Sequence, residues 1–411
     1  MISIDPLAIL DYSINSDKRE SELEEAVLKE KLASYEEIFN KVLVGKSIAN
    51  LRFEKKLKYG ESVERFAYDI SGVRVRSTVR GNASTIDSIS DTSELLTINL
   101  EKEAVFHISD GEVTQAGPLN PGEVIGGQVA IKVATDLDAR ILGETLNAKF
   151  DFDTGDLTTG VSTGVPFTLD STNVPKAVVR MPAKLRSKNQ TLTNLCWVID
   201  SYGASDIEQY LMGKSIDLAG YVFKNGYAGT VRGADLIVSE NLTGEAVLTD
   251  SGTFGDGEKF TINGVTFTMK TALTSPAVAG EIVIGANLAA SMTNIAAALN
   301  APGTTTATFT ALSAADQETI ADLNITATAT ATTVTIVAVG SGRLTLSETG
   351  DSTSWSSNFI HSYFGKKGAI DVVVQDMKKV DMRPTADKRG TNVFASYLAG
   401  IKTFADGKKK F

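Results

Sequence analysis

Few residues in this chain combine the types and spacings that chemistry needs. Two Gly-Lys-Ser triplets, Gly45-Lys46-Ser47 and Gly213-Lys214-Ser215, have the ending of a phosphate-binding loop. Such a loop also needs a glycine five residues before that glycine, so that the backbone can curl round the phosphates. Asn40 and Glu208 hold those places, so neither triplet predicts a nucleotide site. Asp151, Asp153 and Asp156 resemble the opening of a calcium loop. An EF-hand needs glycine at its sixth position and glutamate at its twelfth, whereas here Gly155 is fifth and Ser162 twelfth. The expectation is an acidic turn. Cys196 sits beside Trp197 in an apolar run, and His107 follows Phe106 in a strand pattern. Neither has a catalytic partner visible in sequence, and a buried structural role is expected for both. Lys408-Lys409-Lys410 reads as a solvated end, with contact to an acidic neighbour or to packaged nucleic acid as the alternative. No catalytic, cofactor-binding or metal-ligating residue is assigned, and no cofactor is expected.

Composition agrees with this shortage. One cysteine excludes an intrachain disulfide and any multi-cysteine metal centre, and two histidines leave little for acid–base work. The charge of −10 over 411 residues speaks against a general nucleic-acid-binding surface. The start, Met1 to Pro6, carries no basic segment, and no stretch of 18 apolar residues occurs, so neither a signal peptide nor a membrane span is expected. Folding in a cytoplasm follows as the expectation.

The elements that must position these residues come next. Ser21 and Glu24 fit a capping box, followed by a stripe of Leu28, Leu32, Tyr35, Phe39 and Val42. That helix is expected to pack on its own core, or on a neighbouring subunit or transient partner. Val73, Val75 and Val79, then Leu96, Ile98 and Leu100, alternate like strands around a polar tip at 81–93, which predicts an extended hairpin. Asn120, Pro121 and Glu123 form a strong helix start, and the helix is expected to run to about Asn147 with Ala130, Ala134, Leu137 and Ile141 on one face. A helix opening at Val174-Pro175 should kink or split at Pro182. Leu195–Ile199 and Ala234–Val238 read as strands, with a helix capped by Ser205 and ended by Gly213 between them. Near the C-terminus, Ala369–Met377 is a further strand pattern.

Residues 243–357 differ from their surroundings. They hold 24 Thr and 20 Ala, with 10 acids against 3 bases, while 358–411 hold 5 acids against 11 bases. Within this block Asn263-Gly264 marks a two-residue hairpin turn, an Ala-rich helix spans 286–299, and strands fall at 325–331 and 334–339. It reads as a small α+β insertion domain.

The order of elements resembles the HK97-like fold of tailed-bacteriophage major capsid proteins. The stretch Leu96–Asp110, then Gln115-Ala116 and the helix with Asp136 and Asp138, is similar to that fold's extended loop running into its spine helix. Val174–Leu185 and Cys196–Asp200 are similar to its peripheral domain, and Gly233–Leu242 and Ala399–Gly407 to its axial and closing strands. The block's Asn263–Phe267 and Ala-rich helix are similar to a module of phage structural proteins.

The resemblance implies an α+β chain with an N-terminal arm at 1–55 and an extended loop at 56–108. The spine helix, peripheral domain and first part of the axial domain would fill 109–242, with the insertion at 243–357 and the rest of the axial and peripheral domains at 358–411. It implies a non-enzymatic protein that self-assembles as hexamers and pentamers into an icosahedral shell around double-stranded DNA, without sequence-specific binding or a membrane. Scaffolding, portal and decoration proteins would be further partners, with assembly in the host cytoplasm and residence in the virion. Arg65, Arg74, Arg76 and Arg80 on the hairpin are expected to face acids of adjacent subunits. The alternatives are a tail-tube or sheath protein and a surface-layer or adhesin-type protein.

Overall fold

A computed structural model describes residues 44–53, 62–69, 73–77, 80, 86–109, 121–212, 229–252, 254–350, 353–376, 381–384 and 390–411. The arm helix with its stripe at 28–42, the tip at 81–85, Gln115, Ala116, Asn120 and the second Gly-Lys-Ser triplet lie outside these residues. The chain divides into two compact units. One includes the described residues between 62 and 137 and between 373 and 400; the other includes the described residues of 44–53, 138–372 and 401–411.

In the first unit, β1 (Ser62–Asp69) pairs antiparallel with β2 (Ser90–Thr97), with Phe66 opposite Ser93 and Val63 opposite Leu96. The hairpin strands are therefore 62–69 and 90–97. Val73 to Ser77, expected as a strand, carries no ladder. Alternation misled here because valines between arginines can also line an exposed loop. β3 (Leu100–Ile108) belongs to a different sheet, where it pairs with β18 (Thr391–Lys402); the order there is β16 (Asp371–Asp376), β18, β17 (Asp381–Pro384).

α2 (Pro121–Gly143) follows α1 (Val44–Ile48) in chain order and ends in a 3-10 turn, Glu144–Asn147. Together they match the expected 121–147. Ala134, Leu137 and Ile141 are buried, as the 3–4 spacing requires. The division between the units falls within this helix, after Leu137.

In the second unit, α3 (Thr154–Thr158) and α4 (Val174–Ser187) pack with α5 (Ser201–Met212) against the strand β4 (Leu195–Ile199). All five residues of β4 are buried, which suits its continuous apolar run. The sheet order is β15 (Tyr363–Lys366), β4, β6 (Ala234–Val238), β5 (Thr230–Val231), with β4 and β6 parallel. α4 does not split at Pro182 but runs through it: its apolar stripe of Val174, Ala177, Met181 and Leu185 is buried on both sides of the proline, and that packing outweighs one lost hydrogen bond. α5 starts four residues before Ser205, because Asp200 accepts the Gly203 N–H at 3.0 Å and caps it there.

Within 243–361, β7 (Thr243–Asp250) pairs with β14 (Thr353–His361) and with β12 (Thr333–Ala338), and β12 pairs with β11 (Ile325–Ala329). A second sheet has the order β10 (Glu281–Val283), β9 (Val265–Lys270), β8 (Lys259–Ile262), β13 (Leu346–Glu348). The β8–β9 turn is the expected one: Asn263 and Gly264 take φ of 48° and 86°, the left-handed values a type I′ turn needs. α6 (Leu288–Asn300), capped by Asn287, and α7 (Ala314–Asp322), capped by Ser313, accompany the sheets. Leu248, Phe260, Phe267, Ile295 and Ile336 share one core, where the Phe260 and Phe267 rings stack at 5.0 Å.

Candidate functional site

Among the described residues no three His, Cys, Asp or Glu side chains come together as a metal site. The Gly-Lys-Ser triplet at 45–47 lies in α1, and its chemistry is that of a docked turn. Gly45 donates its backbone N–H to the Asp138 carboxylate, which also accepts from the Asn241 side-chain amide at 2.9 Å. A Cβ on Gly45 would lie 2.8 Å from Ile141 Cγ2, so only glycine lets α1 approach α2 this closely. Burial pushes the Asp138 carboxyl above its ordinary value, against the pull of the donors around it. Asp138 falls in phase with Ala134 and Ile141, so an acid on an apolar helix face was the available signal.

A second tie fixes the same segment. Asn50 donates its side-chain amide to Asp371 at 2.6 Å, its backbone N–H reaches the Ile370 carbonyl at 2.7 Å, and Gly368 donates to the Ile48 carbonyl at 2.6 Å. Ile48 is fully buried, worth about 1.5–3 kcal/mol for such a side chain.

The acidic turn is a helix cap. Asp153 accepts from the backbone N–H groups of Gly155, Asp156, Thr163 and Gly164, while Asp156 returns the bond to the Asp153 N–H. Burial would raise the Asp153 carboxyl, yet these donors hold it below its ordinary value. Asp156 pairs with Lys184 at 2.5 Å. Cys196 is buried, its thiol pushed up to about 12 by desolvation, which leaves it unreactive. His107 is not buried as expected: on β3 it meets Asn392 across the ladder at 2.8 Å. His361 bonds Glu245 at 2.9 Å between β14 and β7.

The hairpin carries the most prominent surface. Phe66 and Leu95 stand on one face of the β1–β2 ribbon, 65% and 48% exposed, while Leu96 on the other face is 0% exposed. Of the sixteen large apolar side chains that are exposed among the described residues, seven lie between Phe66 and Val105. Arg76 makes a bidentate pair with Asp87 at 3.0 and 2.6 Å, and the Arg74 N–H reaches the same carboxylate at 2.9 Å. Arg76 therefore has an acid within its own loop, a partner the charge pattern alone had placed on adjacent subunits.

No protein-family model and no curated protein matches the sequence. Solved structures do. A chain of Mycobacterium phage Che8 is 14% identical, with 88% of this chain and 87% of that one covered and a TM-score of 0.46. A chain from the capsid of cyanophage P-SCSP1u is 12% identical, covering 89% and 86%, with a TM-score of 0.45. A virus-like particle from Pyrococcus furiosus gives 12%, 91% and 94%, with 0.36. The chain itself is α+β, and the structures it is similar to include chains of a phage capsid and of a virus-like particle.

Proposed function

We propose that this chain is a major capsid protein of a tailed bacteriophage, self-assembling as hexamers and pentamers into an icosahedral shell that encloses double-stranded DNA. The observation that carries the reading is the β1–β2 ribbon. Two strands alone are marginal in water, and this ribbon leaves Phe66 and Leu95 uncovered on one face. A segment built in this way is stabilised by burial on another subunit, and closed shells form from many such repeated contacts. The order of elements supports the same reading: hairpin, β3, long α2, then the β4 layer, with 243–361 forming a separate core between β6 and β15. In this reading the fold is HK97-like, with an arm at 1–55, an extended loop at 56–108 and a spine helix at 121–147. Peripheral and axial parts share 148–242 and 358–411, and the insertion faces outward. The protein works without catalysis, and scaffolding, portal and decoration proteins are its further partners.

Negative-stain microscopy of the purified, concentrated protein tests this. Closed isometric shells are expected; tubes would point to a tail protein, flat sheets to a surface layer, and either would overturn the proposal.

A further inference from the structure

The C-terminal turn is held more firmly than a solvated lysine tail would be. Phe404 and Phe411 on either side of it are buried, and the Phe411 ring lies 5.0 Å from that of Tyr363. Lys408 donates its backbone N–H to the Phe404 carbonyl at 2.9 Å and Lys410 to Gly407 at 2.8 Å. Gly407 has no room for a side chain, since a Cβ there would fall 2.3 Å from the Ala369 carbonyl oxygen. Three successive lysines are therefore presented by a fixed backbone.

Other lysines join them through direct contacts. The Lys149 N–H bonds the Lys408 carbonyl at 2.9 Å, and Lys188 holds its ammonium 5.1 Å from the centre of the Phe150 ring. The Lys366 N–H bonds the Lys410 carbonyl at 3.1 Å, and its ammonium reaches Thr191 at 2.5 Å. Lys410 has Asp406 at 3.3 Å. Among the described residues no carboxylate lies within ion-pair distance of Lys149, Lys188, Lys366, Lys408 or Lys409. Six lysines, one of them paired with Asp406, thus lie in one part of a chain whose net charge is −10.

We infer that the surface formed by Lys149, Lys188, Lys366, Lys408, Lys409 and Lys410 binds the phosphate backbone of duplex DNA without reading its sequence. The chemistry is that of a polyanion site. All six groups are lysines, which act as strongly hydrated point charges and lack the planar fork that arginine uses on base edges. Aromatic side chains at the patch are Phe150, half-buried beneath Lys188, the buried Phe411, and the buried Tyr363, whose hydroxyl donates to the Lys366 carbonyl at 2.5 Å. None of the three offers an open ring for stacking unpaired bases, which favours duplex over single strand. The choice of DNA as occupant rests on the shell reading above. Such a contact would be weak and salt-labile: neutralising about six phosphates costs on the order of a thousandfold in affinity between 50 and 200 mM salt. A net negative chain with one patch of this kind holds DNA loosely.

The test is fluorescence anisotropy of the full-length protein with a labelled random-sequence duplex over a salt series. Wild type is compared with K149Q/K188Q/K408Q/K409Q, and a polyglutamate peptide serves as a second ligand. Wild type should bind the duplex, and the variant should flatten the log–log salt slope by about 3.6, that is ~0.9 for each phosphate no longer neutralised. An unchanged slope in a folded variant would overturn the inference, as would preference for polyglutamate, which would assign the patch to an acidic protein segment. Microscopy of the same samples separates the two proposals. Shells formed by a protein that ignores DNA would leave the shell reading standing and remove this one.

Discussion

Gly45 and Asp138, 93 positions apart, meet through a backbone N–H and a buried carboxylate at 2.5 Å. The contact places the first turn of α1 on α2, where a side chain at position 45 would run into Ile141. Gly45→Ala should therefore destabilise the protein by about 1–3 kcal/mol, because the overlapping atoms belong to a fully buried β-branched residue that cannot swing aside. Helix propensity pulls the other way by about 1 kcal/mol, so the clash is expected to win. An unshifted urea midpoint would show that α1 relaxes freely.

Asp138 and Asp153 should give opposite pH signatures. The Asp138 carboxyl is raised in the fold, so the folded state holds its proton more tightly, and this group's contribution weakens as pH rises from its ordinary value near 3.8 through its raised one. The Asp153 carboxyl is lowered, so its contribution is present above about 3.8 and is lost as pH falls through the lowered value. Stability measured against pH for Asp138→Asn and Asp153→Asn, each relative to wild type, should diverge in opposite directions. Parallel curves would refute the assignment.

Phe66→Ser should leave the isolated subunit within about 0.5 kcal/mol of wild type, since the ring is already in water. Particle yield should fall sharply: removing one apolar anchor of about 1.4 kcal/mol weakens each subunit pair about tenfold, and a shell repeats that pair many times. Normal shells from this variant would remove Phe66 from the assembly surface.

The compositional block ends at 357, whereas β14 continues to His361. A fragment of 243–357 loses the pairs Asn358–Ala246, Phe359–Glu245, Ile360–Gly244 and His361–Thr243. A fragment of 243–361 should therefore give a dispersed amide spectrum and melt at least ~4 °C higher, a shift that corresponds to roughly 1 kcal/mol. Equal melting points would mean that the last four residues of the strand contribute nothing.

Legibility followed the strength of local signals. The Pro121 helix start, the Asn263-Gly264 turn and the apolar run of β4 each carry a physical requirement within a few residues, and each forms as expected. Of the hairpin, β2 shows its Leu96 in the alternation, whereas β1 does not show itself, because it mixes Glu64 and Arg65 with an exposed Phe66. α7, β7 and β14 were equally silent: threonine and alanine fit either period in α7 and β7, and β14 opens on a serine-rich run around Trp355. The anchors at Asp138 and Asn50 depend on residues 93 and 321 positions away, which no window along the chain contains. The cap at Asp200 lies five residues before Ser205, whose spacing to Glu208 also fits a helix start.

The pairing of β7 with β14 has a wider consequence. β7 begins at Thr243 directly opposite His361, where β14 ends, so the two ends of the 243–361 segment stand about 5 Å apart. Any cargo whose own termini lie that close could be carried in its place, as a cassette on a display scaffold. The exchange has a footprint to respect. Gly340 rests against Ala139, where a side chain would collide, and Arg140 reaches the Asn324 side chain at 3.2 Å. A replacement that stays small at the first point and offers an acceptor at the second would meet both conditions.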